Sequence, residues 1–62
     1  MFTKYDNGSR GPVFMFQDGD GEEWMIEFHS GKMDIDTLGS GDGTFTRDQA
    51  IAIANLILEQ TK

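Results

Sequence analysis

The stretch Glu22 to Thr37, EEWMIEFHSGKMDIDT, constrains this chain more than any other, because only one hairpin register lets its apolar residues share a face. Ser30-Gly31 reads as a two-residue turn, where glycine supplies the positive φ that tight hairpins need. Pairing outward from it sets His29 opposite Lys32, Phe28 opposite Met33, Glu27 opposite Asp34, Ile26 opposite Ile35 and Met25 opposite Asp36. One face collects Phe28, Met33, Ile26 and Ile35, with Trp24 beside them. The other sets two carboxylates directly across from each other, an arrangement that costs about 0.2–1 kcal/mol when nothing offsets it.

Turn signals divide the rest of the first 37 residues in the same way. Asn7-Gly8, Asp18 to Gly21 and Ser30-Gly31 separate strand-length runs at Phe2 to Asp6, Val13 to Gln17, Glu22 to His29 and Lys32 to Thr37, the spacing of an antiparallel meander. Pro12 lacks an amide donor and belongs at the start of its strand. A three-residue loop of Gly19-Asp20-Gly21, with Gly21 left-handed, pairs Phe16 with Trp24 and Phe14 with Ile26, so both hairpins agree on one apolar face.

A glycine-rich connector, Leu38 to Gly43, leads to TFTRDQAIAIANLILEQTK. Thr46 followed by Gln49 is a capping box, and Asp48 puts a negative charge in the first turn, predicting a helix from Arg47 to Gln60. Its expected buried face is Ala50, Ile53, Ala54, Ile57 and Leu58, flanked by Ile51 and Leu56, with Ala50 and Ala54 small enough for close approach to Trp24. The expected fold is α+β: a single domain over residues 1–62, a four-stranded antiparallel meander with one C-terminal helix across one face.

Eleven acidic against five basic residues give a net charge of −6, and eight of the eleven lie between positions 18 and 42, where the only base is Lys32. Such a field repels nucleic acid and membrane surfaces and attracts basic protein surfaces. The chain has no cysteine, so disulfides and thiolate metal sites are excluded, and a cytoplasmic setting is expected. No apolar run approaches a membrane span.

Alternation sends Val13, Met15, Gln17, Glu23, Met25, Glu27, His29, Lys32, Asp34 and Asp36 to the open face, a Val/Met patch bordered by carboxylates. Two flexible methionines suit an adaptable contact, and charge of one sign around them suits electrostatic steering.

Catalytic chemistry is not expected. His29, Ser30 and Glu27 do not form a preassembled triad, and a flat sheet on a short chain offers no substrate cleft. DIDTLGSGDGTF places Asp34, Asp36, Gly39 and Asp42 at calcium-loop positions, but Leu38 stands at position five and Phe45 where the bidentate glutamate belongs. No cofactor and no metal site are therefore expected, although Asp18, Asp20 and Glu22 could hold a divalent cation weakly.

The stretch VFMFQDGDGEEWMIEFHSGK, within a short, acidic, cysteine-free chain, resembles in style the small phage-encoded inhibitors, namely anti-CRISPR proteins and DNA-mimic inhibitors such as those of uracil-DNA glycosylase. The resemblance implies a stoichiometric blocker that occupies a basic nucleic-acid-binding surface on a defence or repair enzyme. By residue, it would rest on Glu23, Glu27, Asp34 and Asp36, with Asp18, Asp20 and Glu22 extending the charge around the hairpin tip. Met15 and Met25 depart from a pure phosphate mimic and imply apolar contact as well. The rival reading is a small interaction domain that pairs with itself or joins a complex through an edge strand or the methionine patch.

Overall fold

The structure, a computed structural model, describes residues 1–6, 8 and 11–62. Four strands, β1 (Thr3–Asp6), β2 (Pro12–Gln17), β3 (Glu23–His29) and β4 (Lys32–Thr37), form one open antiparallel sheet in sequential order, followed by α1 (Arg47–Gln60). This is the expected ββββα architecture. Asn7, half of the expected Asn7-Gly8 turn, lies outside the described residues.

The registers of β2 with β3 and of β3 with β4 agree pair by pair with the reading from alternation; β1, whose pairing the sequence left open, sets Thr3 opposite Met15. Phe16 pairs Trp24 and Phe14 pairs Ile26 across β2 and β3; Ile26 pairs Ile35 and Glu27 pairs Asp34 across β3 and β4. Gly21 has φ +86°, the left-handed conformation that a three-residue loop requires there. At the second hairpin both Ser30 (φ +51°) and Gly31 (φ +74°) are left-handed, as in a type I′ turn. Serine tolerates that conformation poorly and asparagine much better. Ser30→Asn is accordingly expected to raise stability by about 0.5–1 kcal/mol in a urea melt; an unchanged midpoint would show that Ser30 carries no strain.

The core is Phe14, Phe16, Ile26 and Phe28, with Phe2, Trp24, Phe45, Ile53, Leu56 and Ile57 packed around it. Ile26 is completely buried, at 0% exposure. Phe2 meets Phe14 and Phe16 edge-on at 6.3 and 5.3 Å, and Phe45 meets Trp24 at 5.5 Å. These contacts use the aromatic quadrupole as well as the buried area. Phe45 lies in the connector, where alternation does not reach, and Phe2, expected as the first residue of its strand, lies just before β1, so their core roles emerge only in three dimensions.

The helix begins as expected. Thr46 accepts from the Gln49 amide at 3.1 Å, and Gln49 Oε1 accepts from the Thr46 amide at 2.7 Å. The same Gln49 side chain donates through Nε2 to the Gln17 carbonyl at 2.9 Å, fastening the first turn to the end of β2.

That fastening overturns the expected helix face. The residues turned inward are Gln49, Ala52, Ile53, Leu56, Ile57 and Gln60, while Ala50, Ile51, Ala54 and Leu58 are exposed. The helix is rotated by roughly a quarter turn from the expected orientation, about the angle between successive residues. Trp24 packs on Phe45 and under Gly43 rather than against Ala50 and Ala54.

Met33 and Ile35, expected beneath the helix, are exposed. A helix about 10 Å across covers roughly two strands spaced about 4.8 Å apart. The buried aromatics of β2 and β3 hold it over those two, and β4 remains an uncovered edge.

Candidate functional site

Two groups of polar side chains could carry function: the acidic open face, and the cluster at the β2–β3 hairpin. The structure assigns them different roles.

Asp18 was expected to extend the exposed charge around the hairpin tip. It is instead 4% exposed. Its Oδ1 accepts from the amides of Asp20 at 2.8 Å and Glu22 at 3.0 Å, and its Oδ2 accepts from the Trp24 indole at 2.8 Å. Burial alone would raise the Asp18 pKa; the bonds from the Trp24 indole and the amides of Glu22, Asp20 and Gly21 outweigh it and hold the carboxyl below its ordinary 3.8.

The glycine-rich connector closes over this cluster. Gly19 donates to the Thr44 carbonyl at 2.9 Å, and a Cβ on Gly41 would come within 2.7 Å of the Trp24 indole nitrogen and 2.8 Å of Asp18 Oδ2. The backbone passes too close there for any side chain. A carboxylate followed by glycines reads as a hairpin turn; a Trp six residues on, with a glycine-rich segment later, is the only sequence signal for this closure.

On the open face, one row crosses all four strands: Thr3, Met15, Met25 and Asp36. Beside it run Tyr5, Val13, Glu27 and Asp34. Met15 and Met25 are half-buried, and Glu23, Asp34, Asp36 and, at the tip, Asp20 are exposed; Glu22 is half-buried. Gln17 Nε2 donates to Glu23 at 3.2 Å.

Two members of the expected patch sit deeper than alternation implies. Val13 is buried, and Glu27 is only 7% exposed. Glu27 therefore leaves the accessible acidic surface. Nor do Glu27 and Asp34 simply repel each other: the His29 imidazole stands between them, with Nε2 2.6 Å from Asp34 Oδ2 and 3.6 Å from Glu27 Oε1. Glu27 and His29 are two residues apart on one strand and share a face, with Asp34 across from Glu27. That parity was the sequence signal for the trio. A histidine expected to face solvent alone is bonded instead.

These three residues place a ligand atom each within 4.8 Å of the others. Histidine and carboxylate donors suit a divalent cation such as Zn²⁺. The 2.6 Å His29–Asp34 contact, however, is a hydrogen bond, shorter than the separation of about 3.3 Å between ligands on a tetrahedral zinc. The trio as built is a polar clasp tying β3 to β4.

Among the described residues, no helix is long and apolar enough to cross a membrane. Comparison of the chain with protein-family models, curated proteins and solved structures finds no match.

Proposed function

We propose that the chain is a protein-binding inhibitor that docks its open sheet face on a basic, nucleic-acid-binding surface of a target protein and blocks it stoichiometrically. The observation that supports this reading is the arrangement of exposed Glu23, Asp34 and Asp36 around half-buried Met15 and Met25, with Asp20 and Glu22 continuing the charge at the hairpin tip. Carboxylates at the rim steer a basic partner, and the methionines supply an adaptable apolar centre. Asp18 and Glu27 belong to the fold rather than to the contact, because both are buried.

A bacterial lysate passed over the immobilised protein, with and without a triple variant (Glu23→Gln, Asp34→Asn, Asp36→Asn), tests the reading. A nucleic-acid-binding protein is expected to be retained at low salt, released by high salt and competed off by nucleic acid. The triple variant is expected to bind it about tenfold or more weakly, with a shallower salt dependence. Retention that neither neutralisation nor nucleic acid affects would overturn the proposal.

A further inference from the structure

The sheet is open, so β1 and β4 each carry an edge of backbone groups with no strand beside them. The hydrogen-bond phase fixes which groups those are. Glu23 in β3 accepts from Leu38 on the β4 side at 2.9 Å, and Asp18, just past β2, donates to Glu22 on the β3 side at 2.9 Å. Bonding direction alternates along an antiparallel strand. Val13 and Met15 therefore bond toward β1, their register partners Tyr5 and Thr3 bond back, and Lys4 and Asp6 turn their amides and carbonyls outward. Pro12 fits this phase: it has no amide to give, and it stands opposite Asp6.

We infer that the β1 edge is covered by β1 of a second copy of this chain, antiparallel to it about a two-fold axis at Tyr5. Only the outward residues can bond across such an edge. They can meet as Lys4 against Lys4, as Asp6 against Asp6, or as Lys4 against Asp6. The first two set like charges directly across from each other, whereas the third sets opposite charges there, and the symmetry repeats the match. That third register is the one centred on Tyr5. The two Tyr5 side chains, each 56% exposed in the single chain, then form the non-hydrogen-bonded pair at the axis, where side chains come closest. Cross-strand partners share a face, so the dimer turns both open faces, with their Met15 and Met25, to one side of a continuous sheet.

The β4 edge offers no comparable match. Its outward groups belong to Met33, Ile35 and Thr37, and every register that bonds more than one of them to a second β4 sets an aspartate, Asp34 or Asp36, against an aspartate of that copy. β1 also lies at the end of the sheet away from most of the charge. Eight of the eleven acidic residues fall between positions 18 and 42, while β1 holds one acid and one base. β3 stands about 10 Å in from β1, so much of the repulsion between two chains is screened at physiological salt, where the Debye length is about 8 Å. A ladder of four residues a side is short, and the dimer is a weak one.

Cysteine placement reads the axis directly, because the chain has no cysteine of its own. Tyr5→Cys brings two Cα atoms to about 4.5 Å in the dimer, within reach of a disulfide. Thr3→Cys leaves its pair about 14 Å apart along the strands, too far to bridge. Under air oxidation at about 1 mM protein, Tyr5→Cys is expected to cross-link about tenfold or more faster than Thr3→Cys. Sedimentation equilibrium at near-physiological salt, from about 10 µM to 2 mM protein, is expected to show the mean mass rising from 6.9 kDa toward twice that value and no further. Lys4→Asp and Asp6→Lys, each alone, are expected to weaken the dimer about three- to tenfold, and the double reversal to restore it. All three variants are expected to melt like the parent at low concentration, because both positions are exposed. A constant monomer mass would overturn the inference, as would equal cross-linking of the two cysteine variants or a double reversal as weak as the single changes. So would a mass that climbs past the dimer, the result of β1 pairing with β4 from copy to copy.

Discussion

Trp24→Ala is expected to lower stability by about 3–5 kcal/mol, the usual cost of truncating a large packed aromatic, and to leave much of the chain unfolded. The indole has three jobs at once. It packs edge-on against Phe45, it lies under the backbone at Gly41 and Gly43, and it donates to the buried Asp18 carboxylate. A domain of this size has little core to spare. Trp24→Phe separates the jobs: it keeps most of the ring packing but leaves Asp18 Oδ2 without its donor, so it is expected to fall between the parent and the alanine variant. Urea melts followed by circular dichroism read all three. A near-parental, cooperative melt for Trp24→Ala would show that the connector does not close over this ring, and a phenylalanine variant as stable as the parent would show that the indole bond contributes nothing.

The second large effect concerns acid. Asp18 has a folded pKa below its ordinary 3.8 because the indole and amide hydrogen bonds to its charged form outweigh the effect of burial. A depressed carboxylate stabilises the fold fully above its unfolded pKa, and that contribution is lost as pH falls through the folded value. Stability is therefore expected to hold from neutral pH down to about 4 as far as this residue is concerned, then to drop below the ordinary value of 3.8. Asp18→Asn should remove this acid limb while lowering stability at neutral pH. An asparagine oxygen can still accept from the Asp20 and Glu22 amides, but its NH₂ would then face the Trp24 indole N–H, donor against donor. Melts from pH 2.5 to 7 on both proteins check the pair of claims. A variant that matches the parent at pH 7, or that keeps the same acid limb, would show that the cluster does not rest on the Asp18 charge.

The candidate site was legible in outline and wrong in depth. Alternation assigned Glu23, Asp34, Asp36, Met15 and Met25 to the open face, and the structure places them there. It gave no measure of how deeply each sits, because strand parity tells which way a side chain points and nothing about what lies beside it. Glu27 and Val13 point as expected and are nonetheless buried, and His29 stands between the two carboxylates, hydrogen-bonded to Asp34 at 2.6 Å and 3.6 Å from Glu27. Asp18 sits in the loop, where parity does not apply, and its bonds to the indole and the amides fold it inward.

The sequence by itself determined the strands, the registers of β2 with β3 and of β3 with β4, and both ends of the helix, while the pairing of β1 was read only from the structure. These features depend on residues near one another in the chain: a side-chain period of two, a left-handed glycine in each turn, and a capping box spanning Thr46 to Gln49. Slipping β2 or β3 by one residue would turn that strand's phenylalanines to solvent, so these registers had only one low-energy solution. The helix had no such restriction. With Ala50, Ile51, Ala54 and Leu58 on one side and Ile53, Leu56 and Ile57 on the other, its apolar residues run most of the way round, and local pattern alone does not select the buried side. Tertiary structure decided it through the Gln49–Gln17 hydrogen bond, which spans 32 positions, and through the aromatics of β2 and β3, all distant from the helix in the chain. The same contacts left β4 and the outer helix stripe uncovered, because one helix is wide enough for two strands of the four.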